Sequence, residues 1–377
     1  MKNSYFIPCK KVFTATLFFL ALFIGKNGKA QNQDKAVLAY YSGSPERLDS
    51  FDARQMTHIV YCFGHLDGNR LKIGSARDTL TIQKMVAMKQ KNPSLKVLLS
   101  LGGWGGCAPC SDVFATEKGR NEFAQSVKEL NAFFKADGID LDWEYPAVPG
   151  YPGHKYSPED KPAFTELVKT LRKTLGKNQV ITFAAGGFQR FLDEAVDWKE
   201  VMPQIDYVNL MSYDLVSGFS KTTGHHTALY SNPQQKESTH NAVQELIKRG
   251  VDPKKIIIGA AFYARIWENV PAENNGLYQP GTFKMAQAFR RFPENLSSTA
   301  GYQFYWDDVT KATYAYNPEK KLFATFDDKR SIALKTQYVV EKELGGIMFW
   351  ELGSDSYTDG LLHTINQTLQ QAKKSSH

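Results

Sequence analysis

Four acidic residues lie close together with a spacing that suits acid–base chemistry on a strand. They occur in the run Asp137-Gly-Ile-Asp140-Leu-Asp142-Trp-Glu144-Tyr-Pro146. Side chains alternate along a strand, so Asp140, Asp142 and Glu144 share one face while Ile139, Leu141 and Trp143 take the other. Large apolar residues on the second face argue that both faces are covered, as in a buried parallel strand, and against an exposed acidic edge. Pro146 ends the strand two residues beyond Glu144 and sets that acid at a rim. Burying neighbouring acids is unfavourable by several kcal/mol unless they are hydrogen-bonded or share protons, so folding alone does not select this pattern. Like charges about 6–7 Å apart push at least one pKa upward, which keeps a carboxylic acid protonated near neutral pH. That is the state a general acid needs. A calcium site would call for a flexible loop with a glycine turn, and this is a strand.

Short apolar runs alternate with amphipathic segments along the chain. The strands expected are Ala36–Tyr41, His58–Phe63, Lys96–Ser100, Gly138–Trp143, Val180–Ala184, Tyr207–Met211, Ile256–Phe262 and Gly346–Trp350. Helical patterns between them include 81–90, 118–135, 161–175, 238–249 and 331–343. Eight strands with their helices predict an α/β fold, the (β/α)8 TIM barrel. A doubly wound open sheet fits less well, because no G-x-G-x-x-G follows the first strand. The spacing breaks once, after the seventh strand. The stretch 267–328 is rich in Tyr, Phe and Trp and reads as a small α+β insertion between strand 7 and its helix, on the C-terminal face where barrel enzymes build their sites.

The N-terminus reads as a signal peptide over residues 1–30. Lys10 and Lys11 precede an apolar run from Val12 to Ile24, and Gly28-Lys-Ala30 follows. The run is short for a membrane span, so a secreted or periplasmic protein is expected, with no membrane attachment after leader removal. The chain's formal charge is +7, and without the leader's five lysines it is +2. A near-neutral mature protein has no compositional claim on nucleic acid. Cys9 leaves with the leader. Cys107-Ala-Pro-Cys110 lies in a Gly-rich loop and can close a small disulfide, and Cys62, inside an apolar run, reads as a buried free thiol. His225-His226 has no acid or Cys partner in a ligand pattern, so a loop role is read there and no metal site. Asn366-Gln-Thr fits a glycosylation acceptor pattern only formally.

The acidic run resembles the D-x-x-D-x-D-x-E signature of glycoside hydrolase family 18, with Asp137, Asp140, Asp142 and Glu144 in all four places. Its Trp-Glu-Tyr-Pro ending is similar to that of the family's chitinases. Ser100-Leu-Gly-Gly103-Trp104 resembles the S-x-G-G motif on the third strand, and Met211-Ser-Tyr213-Asp214 the M-x-Y-D motif closing the sixth. Tyr263-Ala-Arg265 looks like the Y-x-R segment after the seventh, and Gly345 to Trp350 the eighth strand with the tryptophan that floors the central sugar subsite. The resemblance covers residues 31–377, with the insertion typical of one subgroup. Tyr40, Phe63 and Met211 fall at strand mouths, where they would equally serve as core.

What the resemblance implies is a chitinase acting on chitin or N-acetylglucosamine oligosaccharides, as a monomer and without metal or cofactor. Family 18 departs from the two-carboxylate scheme and uses the substrate's own acetamido group. Glu144 would be general acid and then base. Asp142 would orient the acetamido group, with Asp140 a proton-sharing partner beneath it, and Tyr213 would hydrogen-bond the acetamide oxygen. Tyr40, Phe63, Trp104, Tyr145, Met211, Asp214, Tyr263, Arg265 and Trp350 would bind substrate. Leu215-Val-Ser-Gly-Phe219 departs from the family's aromatic-His-Gly continuation, which bears on the leaving-group subsites. Two other functions remain compatible: an endo-β-N-acetylglucosaminidase on N-glycans or peptidoglycan, and a non-catalytic chitin-binding lectin on the same barrel.

Overall fold

The computed structural model describes residues 35–375 together with Met1 and Ser4, so the expected leader lies outside the described residues apart from those two. Eight parallel strands form a closed ring. In chain order they are Ala36–Tyr41, His58–Asp67, Lys96–Gly102, Gly138–Asp142, Val180–Gly186, Tyr207–Met211, Ile256–Ala261 and Gly346–Trp350. Each pairs with the next, and the first closes on the eighth (Leu38 opposite Met348) and on the second (Ala39 opposite Ile59). Continuous apolar strand sequences follow from this closure, because every strand is covered inside and out.

Alternation assigns the two faces. Ile139, Leu141 and Trp143 belong to the large core between barrel and helices, where the Trp143 ring meets Phe114 and Phe164. Leu38, Tyr40, Val60, Leu98, Ile257 and Met348 fill the barrel interior. The helices begin where short polar side chains can take up their free N–H groups. Ser75 accepts from Asp78 N–H and starts Ala76–Ala87, and Thr116 accepts from Gly119 N–H and starts Glu117–Phe134. The first of these helices thus begins five residues ahead of the apolar pattern that marked it in the sequence.

Between the seventh and eighth strands the chain forms a separate five-stranded antiparallel sheet, in the order Thr282–Ala288, Tyr263–Glu268, Leu322–Phe326, Ala312–Asn317, Gln303–Asp307. It begins at Tyr263, four residues before the boundary read at Trp267. No turn residue separates the seventh barrel strand from it, so the sequence offers no break there. Cys107 and Cys110 are joined by a disulfide, their Cα atoms 5.2 Å apart. Cys62 is a buried free thiol. The Asn366 side-chain nitrogen donates to the carbonyls of Gln55 and Leu362, so the acceptor pattern there is engaged within the fold.

The end of the insertion is tied down by a buried ion pair. Lys335 Nζ, on the helix Lys329–Glu341, lies 2.7 Å from Asp327 Oδ2, and neither side chain reaches solvent. The same carboxylate accepts from Thr227 Oγ1 and from the Ala261 N–H at the end of the seventh strand. Replacing Lys335 with Met leaves that carboxylate buried without its cation. The variant is expected to lose about 3–5 kcal/mol of unfolding free energy in urea titrations; a loss below about 1 kcal/mol would show that the charge is relieved some other way.

Candidate active site

The acids of the fourth strand rise through the barrel in three different environments. Asp140 is fully buried, and four donors fill its two oxygens. Oδ2 accepts from Tyr40 Oη at 3.2 Å and Ser100 Oγ at 2.8 Å; Oδ1 accepts from Thr182 Oγ1 at 2.6 Å and Asn209 Nδ2 at 3.1 Å. Strand register builds this layer, since Ser100 and Thr182 stand directly opposite Asp140 on the third and fifth strands. Burial raises the Asp140 pKa and the four hydrogen bonds oppose it. Asp140 in turn contributes to raising the Asp142 pKa from below.

Asp142, one layer higher, is also buried, and among the described residues its Oδ1 has no hydrogen-bond partner. Burial first, then the charges of Glu144 and Asp140, push its pKa well above the ordinary carboxylate value. An unmet acceptor at this depth is unfavourable unless a ligand supplies a donor. Glu144 stands partly exposed just past the strand end. Burial raises its pKa to about 7; a hydrogen bond from Tyr145 opposes the shift and the charge of Asp214 adds to it.

A cleft of about 980 Å³ opens over these groups. Asp142, Glu144, Tyr213, Phe63, Trp104, Tyr145, Met211, Asp214, Tyr263, Arg265 and Trp350 all line it. Phe63 stacks on Trp350 with ring centroids 5.6 Å apart. Two glycines of the third-strand motif permit this approach. A Cβ on Gly103 would stand 2.4 Å from the Phe63 ring, and one on Gly102 would stand 2.3 Å from the Asp142 carbonyl oxygen. The Tyr213 hydroxyl lies 3.9 Å from the Met348 sulfur, a weak acceptor that leaves the donor available to a ligand. Asp214 accepts from Tyr263 Oη at 2.7 Å and is bound by Arg265 through Nε and Nη2. Trp104 and Phe219 are 48% and 65% exposed, and their rings meet 6.2 Å apart at the cleft.

Tyr40 is the one expected substrate-binding residue that does not reach the cleft. The first strand ends at Tyr41 as expected, but Ser42 lines the mouth and the Tyr40 side chain lies a layer below in the barrel interior, donating to Asp140 and accepting from Asn209. Ser100, Thr182 and Asn209 had no assigned part. Their signal was one polar residue set inside the apolar run of each strand: Ser100 in VLLSL, Thr182 in VITFAA and Asn209 in VNLM. His225 and His226, read as loop residues, are buried beneath the cleft wall and pair with Asp307 and Asp214. Among the described residues no cluster of His, Cys, Asp and Glu is arranged to hold a metal ion.

A Glu144 carboxyl carrying a 13C label is expected to titrate near pH 7, protonated below and ionised above. A midpoint at the ordinary value of 4.5 would remove it as a proton donor at neutral pH.

Comparison with known proteins follows the same outline. Chitinase A1 of Niallia circulans is 33% identical over 78% of this chain, which spans 44% of that relative's length. Chitinase B of Serratia marcescens is 28% identical over 84% of this chain and 76% of its own. Among solved structures, a glycoside hydrolase family 18 N-acetylglucosaminidase from Paenibacillus barengoltzii superposes with a TM-score of 0.80 and 35% identity, over 89% of this chain and 99% of that one. The model of glycosyl hydrolases family 18 matches residues 28–355. A closed parallel barrel with an acid row on its fourth strand, matched by that model over most of its length, makes this chain a member of glycosyl hydrolases family 18.

Proposed function

We propose that the protein is a secreted chitinase that hydrolyses β-1,4 linkages between N-acetylglucosamine units with retention of configuration. The observation that carries this reading is the vertical pair at the cleft floor. Glu144 has a pKa raised to about 7 at the rim, and below it Asp142 presents a buried, unpartnered Oδ1. Glu144 gives its proton to the glycosidic oxygen as the bond from that oxygen to the anomeric carbon breaks. The acetamido oxygen of the same sugar forms the new bond to that carbon and gives an oxazolinium ion. The acetamido N–H donates to the unmet Asp142 Oδ1, which orients the acetamido group for that attack. Tyr213 donates to the acetamide oxygen. Glu144, now ionised, takes a proton from the water that opens the ring and is thereby restored. Phe63 and Trp350 supply apolar faces for the sugar. No step requires a metal or cofactor.

A second reading, release of single N-acetylglucosamine units, draws support from the 35% identity to the Paenibacillus enzyme over nearly its whole length. It uses the same chemistry and differs only in where the substrate chain ends. Secretion rests on the leader read over residues 1–30, and N-terminal sequencing of the exported protein tests it.

Chitin hexasaccharide and an N-glycopeptide, each incubated with the protein and with Glu144→Gln, separate the readings. The protein is expected to give β-anomeric products from the hexasaccharide, and the variant to lose at least about 10³-fold in rate. Shorter oligosaccharides as first products support internal cleavage; monosaccharide alone supports the second reading. Binding without turnover would leave a lectin, and cleavage of the glycopeptide alone would move the function to glycan release.

A further inference from the structure

The paired histidines after the sixth strand take no part in the chemistry above, yet neither has any exposed surface. His225 turns away from the cleft, with Nε2 3.0 Å from Asp307 Oδ2 at the end of an insertion strand. His226 turns toward it, with Nδ1 3.3 Å from Asp214 Oδ1. Its backbone is held on both sides: its N–H donates to Thr325 Oγ1 in the insertion, and its carbonyl accepts from the Leu215 N–H beside Asp214. Asp214 itself sits in the left-handed region at φ 55°, a conformation that needs support from its surroundings.

The proton on this contact can be placed. Burial works to raise the Asp214 pKa, but hydrogen bonds from Arg265 and His226 outweigh it and hold the carboxyl well below the usual range. An ionised carboxylate only accepts, so the histidine donates from Nδ1. That leaves Nε2 without a proton, and among the described residues no group bonds to it. Burial also lowers the pKa of the ring, in keeping with the neutral tautomer. The charged and titratable groups facing it are Asp214, Tyr263, Arg265 and, behind, Asp327 with its partner Lys335. Arg265 opposes a second proton on the ring, while the two carboxylates favour one. Of the three side chains bonded to Asp214, His226 alone does not line the cleft.

We propose that His226 is a positioning residue: its Nδ1–H fixes the Asp214 carboxylate against Arg265, and so fixes the negative charge that faces Glu144. The proposal rests on Glu144 acting as the acid. A hydrogen-bond donor at Asp214 offsets part of its charge; without that donor the carboxylate bears more strongly on Glu144 and favours the protonated acid.

His226→Leu removes the donor, and His226→Asn offers an amide N–H in its place. The midpoint of the Glu144 carboxyl, followed by 13C NMR in all three proteins, is expected to rise by about half a pH unit in the Leu variant and to return in the Asn variant. On the hexasaccharide, kcat is expected to fall about tenfold in the Leu variant with KM changed less than about twofold, and the Asn variant to recover to within about threefold of the parent. A Leu variant with the parent's midpoint and kcat overturns the proposal. So does an Asn variant that folds with the parent's thermal midpoint yet recovers neither. If the parent protein does not cleave the hexasaccharide, the chitinase reading falls, and the carboxyl titration still decides the role of His226.

Discussion

A carboxyl at the axis of a barrel is unfavourable unless donors meet its lone pairs. A buried acceptor left unmet is unfavourable by about 1–3 kcal/mol. Asp140 is such a group, and its donors come from the first, third, fifth and sixth strands as Tyr40, Ser100, Thr182 and Asn209. Five strands must therefore hold one register around one side chain. A slip of a single residue in any of them would turn its polar group out of the barrel. Once that layer is set, the period of the strand places Asp142 one step above and Glu144 at the rim. The site is a consequence of how the interior carboxyl is satisfied.

The three acids differ in what surrounds them, and that difference is chemically useful. Asp140 is saturated with donors, Asp142 has one oxygen unmet, and Glu144 faces the cleft with its pKa near neutrality. Asp214, on the far wall, takes the opposite course, because Arg265 and His226 keep it ionised. The cleft thus holds one carboxyl kept protonated toward neutral pH and one kept ionised. Aromatic faces at Phe63 and Trp350 close the floor, and Trp104 and Phe219 stand exposed at one end.

Much of this was legible in the sequence. The spacing of Asp140, Asp142 and Glu144, with apolar residues between, specifies both the shared face and its direction. Near-continuous apolar runs located all eight strands, with differences confined to their ends, as where Lys96–Gly102 outlasts the apolar pattern into its glycine motif. What escaped depended on contacts between distant segments. Tyr40 looks like a cleft residue from its place near the strand end, and only its bonds to Asp140 and Asn209 on distant strands show that it lies a layer below the mouth, which Ser42 lines. Ser100, Thr182 and Asn209 carry no periodic signal, and only cross-strand register brings them to Asp140. The role of His226 depends on a loop folding back beneath Asp214, which no local pattern encodes.

In the proposed mechanism the nucleophile belongs to the substrate and Asp142 positions it. A series of chitobiosyl nitrophenyl glycosides whose acetamido methyl carries no, one, two or three fluorines tests this directly. Fluorine weakens the acetamide oxygen as a nucleophile while leaving the leaving group unchanged. Turnover by this protein is predicted to fall steeply along the series, by more than about tenfold overall, because that oxygen forms the bond to the anomeric carbon. A flat series would contradict the account and assign the attack to a carboxylate of the protein or to water.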